Sequence, residues 1–254
     1  MSNVTHLTHV ITQTITLTTT TPGLTIAVNM PPGAAAVELQ GTGASTPTWQ
    51  LCPRLRKAWW FDDSAGAYTD ITKALTDRTT TSAINSFEGA ADPYKDFIYL
   101  GCDVPFRGAY VDVTNTNGTA SVLNALYPTA QDTWAGLTET DGTASAGACL
   151  AQDAPITWTV PSDWVKTIEN GSGPFFWVRF GVTVTLDATV SLAAAVPLSV
   201  QTNRASLAAS TVFPKPRYWF DRQEVGGIEA TGDNTDTMII DWLCNSKNMT
   251  LAAE

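Results

Sequence analysis

Phe176-Trp177-Val178-Arg179-Phe180-Gly181-Val182-Thr183-Val184-Thr185-Leu186 decides the fold class. Side chains alternate across an extended strand. Phe176, Val178, Phe180, Val182, Val184 and Leu186 therefore share one face, and Trp177, Arg179, Thr183 and Thr185 share the other. An amphipathic helix needs apolar residues at i, i+3, i+4 and i+7, and no long segment of the chain supplies them. Downstream, Val190-Ser191-Leu192 and Val196 to Val200 continue the β pattern. Upstream, Ile156, Trp158 and Val160 alternate with Thr157 and Thr159 until Pro161-Ser162-Asp163-Trp164 ends the run. Ser162 is placed to cap a short helical turn through Trp164 and Lys166.

Farther out the same signals recur. Phe97-Ile98-Tyr99-Leu100 and Ala109-Tyr110-Val111-Asp112-Val113 read as strands on either side of a turn at Pro105-Phe106-Arg107-Gly108. Asn115-Thr116-Asn117-Gly118 reads as a hairpin turn with Ser121 to Tyr127 as the returning strand, since Asn and Gly tolerate positive φ. Met238-Ile239-Ile240-Asp241-Trp242-Leu243 reads as a buried strand, and Met249-Thr250-Leu251 as a last one. Thr is the unusual residue, 39 of 254. It is β-branched and prefers strands. At the start of the chain Leu7, His9, Ile11, Gln13, Ile15 and Leu17 form one edge and the intervening residues, mostly Thr, the other. Leu24, Ile26, Val28 and Met30 repeat the alternation after Thr21-Pro22-Gly23, and Val37-Glu38-Leu39-Gln40 is a third short strand.

Many short strands with Gly, Pro, Asn and Asp between them indicate an all-β, jelly-roll-like antiparallel β-sandwich with an N-terminal Thr-rich β-arm. The stretch Gly41 to Thr48 reads as a loop or linker. The expected division is residues 1–45 as arm or edge strands and 46–254 as the sandwich, with closing strands near 238–251. Ala58-Trp59-Trp60-Phe61-Asp62 echoes Arg217-Tyr218-Trp219-Phe220-Asp221, as two equivalent strands would.

Composition narrows the function. Lys plus Arg number 14 and Asp plus Glu 24, a net charge of −10. That argues against a general nucleic-acid binder, which needs a basic face. Charged residues are 15% and hydrophobic residues 44%, so a disordered polyanion is excluded. No stretch approaches the ~20 apolar residues that span a bilayer. Met1 to His6 has neither a basic n-region nor an apolar h-region, so a soluble chain made without a cleaved signal is expected. Cys52, Cys102, Cys149 and Cys244 form no C-x-x-C pair and read as buried thiols.

Catalytic chemistry finds little to work with. The only histidines, His6 and His9, lie at the chain start and read as surface or interface residues. Glu is sparse, and Asp62-Asp63, Asp92, Asp103, Asp141 and Asp153 sit where Asp favours turns. Asp233-Asn234-Thr235-Asp236 lacks the spacing of an EF-hand, and no phosphate-binding or dinucleotide-binding glycine loop occurs. Trp49, Trp59, Trp60, Trp134 and Trp164 are able to present rings to sugars, but core or interface is the expected place for them. The basic run Arg54-Leu55-Arg56-Lys57 reads as solvated, or as paired with a neighbouring subunit's acidic surface.

Asp96-Phe97-Ile98-Tyr99-Leu100-Gly101 and Phe106-Arg107-Gly108-Ala109-Tyr110-Val111-Asp112-Val113 together resemble a module of tailed-bacteriophage structural proteins. So do Ile156 to Trp164 followed by Phe176-Trp177-Val178-Arg179-Phe180. The resemblance covers about residues 90 to 200, with a weaker echo at Val225-Gly226-Gly227-Ile228-Glu229. It implies a jelly-roll virion protein, of head-decoration or of tail or fibre type, that needs no catalytic residues. The expectation is therefore a non-enzymatic virion protein without cofactor or metal. The favoured form is an auxiliary capsid decoration protein on the head surface. It would bind copies of itself, as the family implies in trimers, and the major capsid protein or another virion protein. The alternative is a tail, baseplate or fibre module that binds host-surface glycan. No membrane or direct nucleic-acid partner is expected. Isolated Thr-rich strands need a sheet edge to join, which makes Leu7, Ile11, Ile15 and Leu17 the interface candidates, with a place in the chain's own sandwich as the equal alternative.

Overall fold

A computed structural model describes residues 7–16, 24–31, 33–42, 48–77, 81–84, 87–90, 94–187, 190–200, 205–206, 217–219, 224–232 and 237–245. The chain begins with β1 (Leu7–Thr16), β2 (Leu24–Asn29), β3 (Ala34–Thr42) and β4 (Thr48–Pro53). Next come β5 (Leu55–Asp62), β6 (Ala67–Asp70), the short helix α1 (Thr72–Asp77), β7 (Ser82–Ile84), β8 (Phe97–Cys102) and β9 (Phe106–Asn115). β10 (Leu123–Ala130), β11 (Thr133–Gly136), β12 (Glu139–Asp141), β13 (Ala154–Trp158), β14 (Lys166–Glu169), β15 (Ser172–Val182) and β16 (Val190–Ser199) follow. The last four are β17 (Ala205–Ser206), β18 (Arg217–Trp219), β19 (Val225–Gly232) and β20 (Thr237–Asn245).

Contacts divide the chain into two units: residues 1–51 with 203–254, and residues 52–202. The second is an insertion into the first. The stretch Gly41 to Thr48, which reads as a linker, spans the end of β3 and the start of β4, inside the first unit.

The first unit has two four-stranded sheets, β1-β20-β3-β18 and β17-β4-β19-β2. Its first strand pairs with its last, its second with its seventh, its third with its sixth and its fourth with its fifth, all antiparallel. This is a two-sheet jelly roll of eight strands. Alternation on β20 sends Met238, Ile240, Trp242 and Cys244 into a core shared with Val37 and Leu39 of β3, Val28 of β2 and Ile228 and Ala230 of β19. The indole N–H of the buried Trp242 donates to Gln13 Oε1 at 2.7 Å. The Thr-rich arm is β1, an edge strand paired along its length with β20.

The inserted unit repeats the order. β7 pairs with β16, β8 with β15, β9 with β13 and β10 with β11. β16 also pairs with β9, and β15 with β10. A second jelly roll results, with β5 and β6 added beside β8, β12 beside β13 and β14 beside β15. Its core lies between the sheets, with Ile98, Leu100, Val178 and Phe180 facing Phe106, Val111, Ile156 and Leu192. Leu75 of α1 closes onto this core.

Several expectations are corrected here. Asn115 to Gly118 does not turn a hairpin, because β9 and β10 belong to different sheets. The segment is a crossover held by the buried Asn117, whose amide donates to the carbonyls of Thr119 (2.8 Å) and Cys149 (2.9 Å). β15 ends at Val182, not Leu186. Beyond it Thr183 Oγ1 accepts from Val122 N at 3.0 Å and Ser121 Oγ accepts from Val184 N at 3.1 Å, so hydroxyls take over from the ladder. Ser162 to Trp164 forms a turn leading to β14 rather than a helical turn. The Trp-rich echo marks unlike places: β18 is the sixth strand of one jelly roll, whereas β5 lies outside the eight of the other. Met249 to Leu251 lies outside the described residues. The four cysteines are buried and none is in a disulfide.

Candidate functional site

One face of the seven-stranded sheet covers the inserted unit's core, and strand alternation must send every second residue to the other face. On β5 these are Lys57, Trp59 and Phe61; on β8, Phe97, Tyr99 and Gly101; on β15, Phe175, Trp177 and Arg179. Register sets them in rows. Trp59 stands opposite Tyr99, Tyr99 opposite Arg179 and Arg179 opposite Leu126. Phe61 stands opposite both Phe97 and Tyr68. Phe97, Tyr99 and Trp177 are buried, with Trp59, Phe61, Tyr94, Leu126, Trp134 and Phe175 half-buried around them. Tyr68 is 36% exposed.

Arg179 lies at the centre of this second layer. Its guanidinium carbon is 4.1 Å from the Phe97 ring centroid and 4.3 Å from that of Trp134, a cation in contact with two rings. Its Nη1 donates to the Tyr99 hydroxyl at 3.4 Å. Burial pushes the Tyr99 hydroxyl well above the usual phenol range, against the opposing pull of Arg179. The Tyr99 ring meets Trp134 edge-on at 5.7 Å and Tyr68 at 5.8 Å. Lys57 Nζ lies 4.2 Å from the Trp59 ring centroid and pairs with Asp70. Burial works to raise the Asp70 carboxyl, but hydrogen bonds from Lys57 and Thr72 outweigh it and hold the group below its ordinary value. Two buried donors on this face, Arg179 Nε and Trp59 Nε1, have no acceptor among the described residues.

The residues singled out from sequence distribute unevenly. Leu7 stands opposite Asn245, Ile11 opposite Trp242 and Ile15 opposite Met238, all in the first unit. Ile11 packs half-buried against that unit's own core. Leu17, His6 and the Asp233–Asp236 loop lie outside the described residues. Trp49, Trp60 and Trp164 are core residues, while Trp59 and Trp134 belong to the ring face. Arg56 pairs with Asp103 at 2.8 Å and Lys57 with Asp70, so the basic run finds acids within its own chain. The turn role expected of Asp holds at Asp62, which accepts from Ser64 Oγ at 2.7 Å and Ala65 N at 3.0 Å. Asp153 instead ties a strand, accepting from Val113 N at 2.7 Å. Among the described residues no group of three or more His, Cys, Asp or Glu is arranged to hold a metal ion.

Sequence reasoning missed the Arg179 cradle. The available signal was β15 itself, which carries large rings on both faces and so requires two packed layers. No family model and no curated protein matches this chain.

Proposed function

We propose that the chain is a structural, non-enzymatic virion protein of a tailed phage. Its role is that of an auxiliary capsid decoration protein, stabilising a head by burying surface against copies of itself and the major capsid protein. The observation that carries this reading is the ring-covered outer face of the seven-stranded sheet. Trp, Tyr and Arg dominate the energetics of protein interfaces, and on this face Tyr68 is exposed while Trp59, Phe61, Trp134 and Phe175 are half-buried. The resemblance over residues 90 to 200 supplies the virion context. Jelly rolls serve in both capsid and lectin domains, so the fold is compatible with this role without selecting it.

A tail, baseplate or fibre module that binds glycan is the second reading. It is favoured by Trp59, which stands opposite Asp70, because sugar sites combine planar rings with carboxylates and amides. Cryo-EM of particles that carry the chain separates the two. Density on the head, seated through the ring face, is expected. Density at the tail together with glycan-array binding selects the second reading, and absence from purified particles removes both.

A further inference from the structure

We infer that Asn170, at the tip of the β14–β15 hairpin, is a site of self-modification: the Gly171 nitrogen displaces its amide nitrogen, and water opens the resulting ring to aspartate and isoaspartate. The inference is independent of the virion reading and rests on the chain's own chemistry.

The dipeptide Asn-Gly occurs at two places, Asn117-Gly118 and Asn170-Gly171. In both, the attacking nitrogen belongs to a residue without a Cβ, so the sequence treats them alike. Reaction also requires an amide carbon free to swing, an uncovered nitrogen and a segment that opens at little cost. Structure separates the two on all three counts.

Asn170 and Gly171 form a two-residue loop closed by the pairing of Glu169 with Ser172. Their φ angles, 45° and 71°, are those of a type I′ turn. Both residues are exposed. Among the described residues neither the Asn170 amide nor the Gly171 N–H has a hydrogen-bond partner. A Cβ built on Gly171 would meet nothing within 4 Å, so the approach to its nitrogen is open. The ladder is irregular between Thr167 and Glu169, which leaves the tip closed by a single pair. Such tips open far more cheaply than the whole domain unfolds.

Asn117 is only 3% exposed and tied on every side. Its Oδ1 accepts from Thr119 N at 2.9 Å and Asp187 N at 3.3 Å, while its Nδ2 donates to the carbonyls of Thr119 and Cys149. The Gly118 N–H donates to Asp187 Oδ2. Carbon and nucleophile are both fixed, and these bonds must open before either can move.

The chemistry balances with water as the one co-reactant. Solvent base takes the Gly171 amide proton, and the nitrogen adds to Asn170 Cγ. The Cγ–Nδ2 bond breaks, and the nitrogen leaves as ammonia after regaining a proton, giving a five-membered succinimide. Water at Cγ breaks the new bond and yields aspartate. Water at the main-chain carbonyl breaks the original peptide bond and yields isoaspartate, whose main chain runs through the side chain.

Isoaspartate adds one carbon to the main chain of a loop built for two residues, so the Glu169–Ser172 register is lost. The strand that this pair positions is structural. The Thr167 carbonyl accepts the indole N–H of the fully buried Trp177 at 3.0 Å. Ile168 bonds the Gln131 side-chain amide in both directions, at 3.1 Å through its N–H and 3.0 Å through its carbonyl. A reaction at the surface therefore loosens what holds a core ring.

Peptide mapping by mass spectrometry, with isoaspartate counted by enzymatic methylation, tests this on the full chain kept folded in mildly alkaline buffer. The peptide containing Asn170 should gain the mass of an amide-to-acid exchange and score for isoaspartate. It should do so at least about tenfold faster than the peptide containing Asn117, where several hydrogen bonds must break first. In concentrated urea the two should react at similar rates. Asn170→Gly, which suits the same turn, should abolish the change at this hairpin. Asn170→Asp should melt close to the fresh wild type, and the separated isoaspartyl form below it. An Asn170 that keeps its amide, or an Asn117 that reacts as fast in the folded chain, overturns the inference. An isoaspartyl form that melts with the fresh protein overturns the link to the Trp177 anchor.

Discussion

Trp177 lies against the bare Cα of Gly101, its cross-strand partner. A Cβ on that glycine would stand 2.7 Å from ring carbon Cζ3 and 2.8 Å from Cε3. The ring is fully buried, and its N–H is fixed by donation to the Thr167 carbonyl at 3.0 Å. It has no room to retreat, so Gly101→Ala overpacks the base of the ring face. A loss of about 1–3 kcal/mol is expected in urea unfolding, the usual cost of forcing a methyl into a filled site. A neutral or stabilising result would mean that the ring stands off the sheet.

Asp187 sets part of the acid limb of stability. Thr119 Oγ1 donates to it at 2.6 Å and the Gly118 amide at 2.5 Å, holding its carboxyl below the ordinary 3.8. For a carboxyl depressed on folding, the stabilisation is complete above the unfolded value and is lost as pH falls through the folded one. The wild-type melting temperature should therefore drop below about pH 4 more steeply than that of Asp187→Asn. Melts between pH 2 and 7, a range set by ordinary carboxylate titration, check this. Parallel curves for the two proteins count against it.

Strand content was legible where alternation was strong and both partners apolar, as in β15, β16 and β20. It was less legible where a side chain imitates backbone. Thr183 and Thr185 prolong the period of two past Val182, because a Thr hydroxyl replaces a ladder bond without changing the pattern. The Asn and Gly residues at Asn115–Gly118 read as a hairpin turn, but the structure has a crossover there, because local residues do not tell which sheet the next strand joins. The nested arrangement left no local trace either. β4 ends and β17 begins without a change of composition, whereas the Gly/Ser/Thr/Pro stretch at 41–48 only spans the end of β3 and the start of β4. The ring face was half legible. Trp177 and Arg179 were placed opposite the core residues of β15, but the rows joining them to Trp59 and Tyr99 exist only through register.

The insertion point makes the last prediction. β4 and β17 pair antiparallel, with Trp49 opposite Ala205 and Thr48 opposite Ser206. Directly opposed residues in such a ladder have Cα atoms about 4.5–5.5 Å apart, so the chain leaves and re-enters the first unit through adjacent points. A short Gly-containing turn spans that gap. Excising residues 52–202 and closing the gap this way keeps all eight strands of the first jelly roll, β4 shortened by Cys52 and Pro53, and its core around Trp242. The excised segment keeps the eight strands and core of the second. Each product should give a β-type far-UV spectrum and its own cooperative melt. If the shortened chain has no cooperative transition while the segment 52–202 does, the first jelly roll depends on the second. The two units would then fold as one body rather than as host and insert.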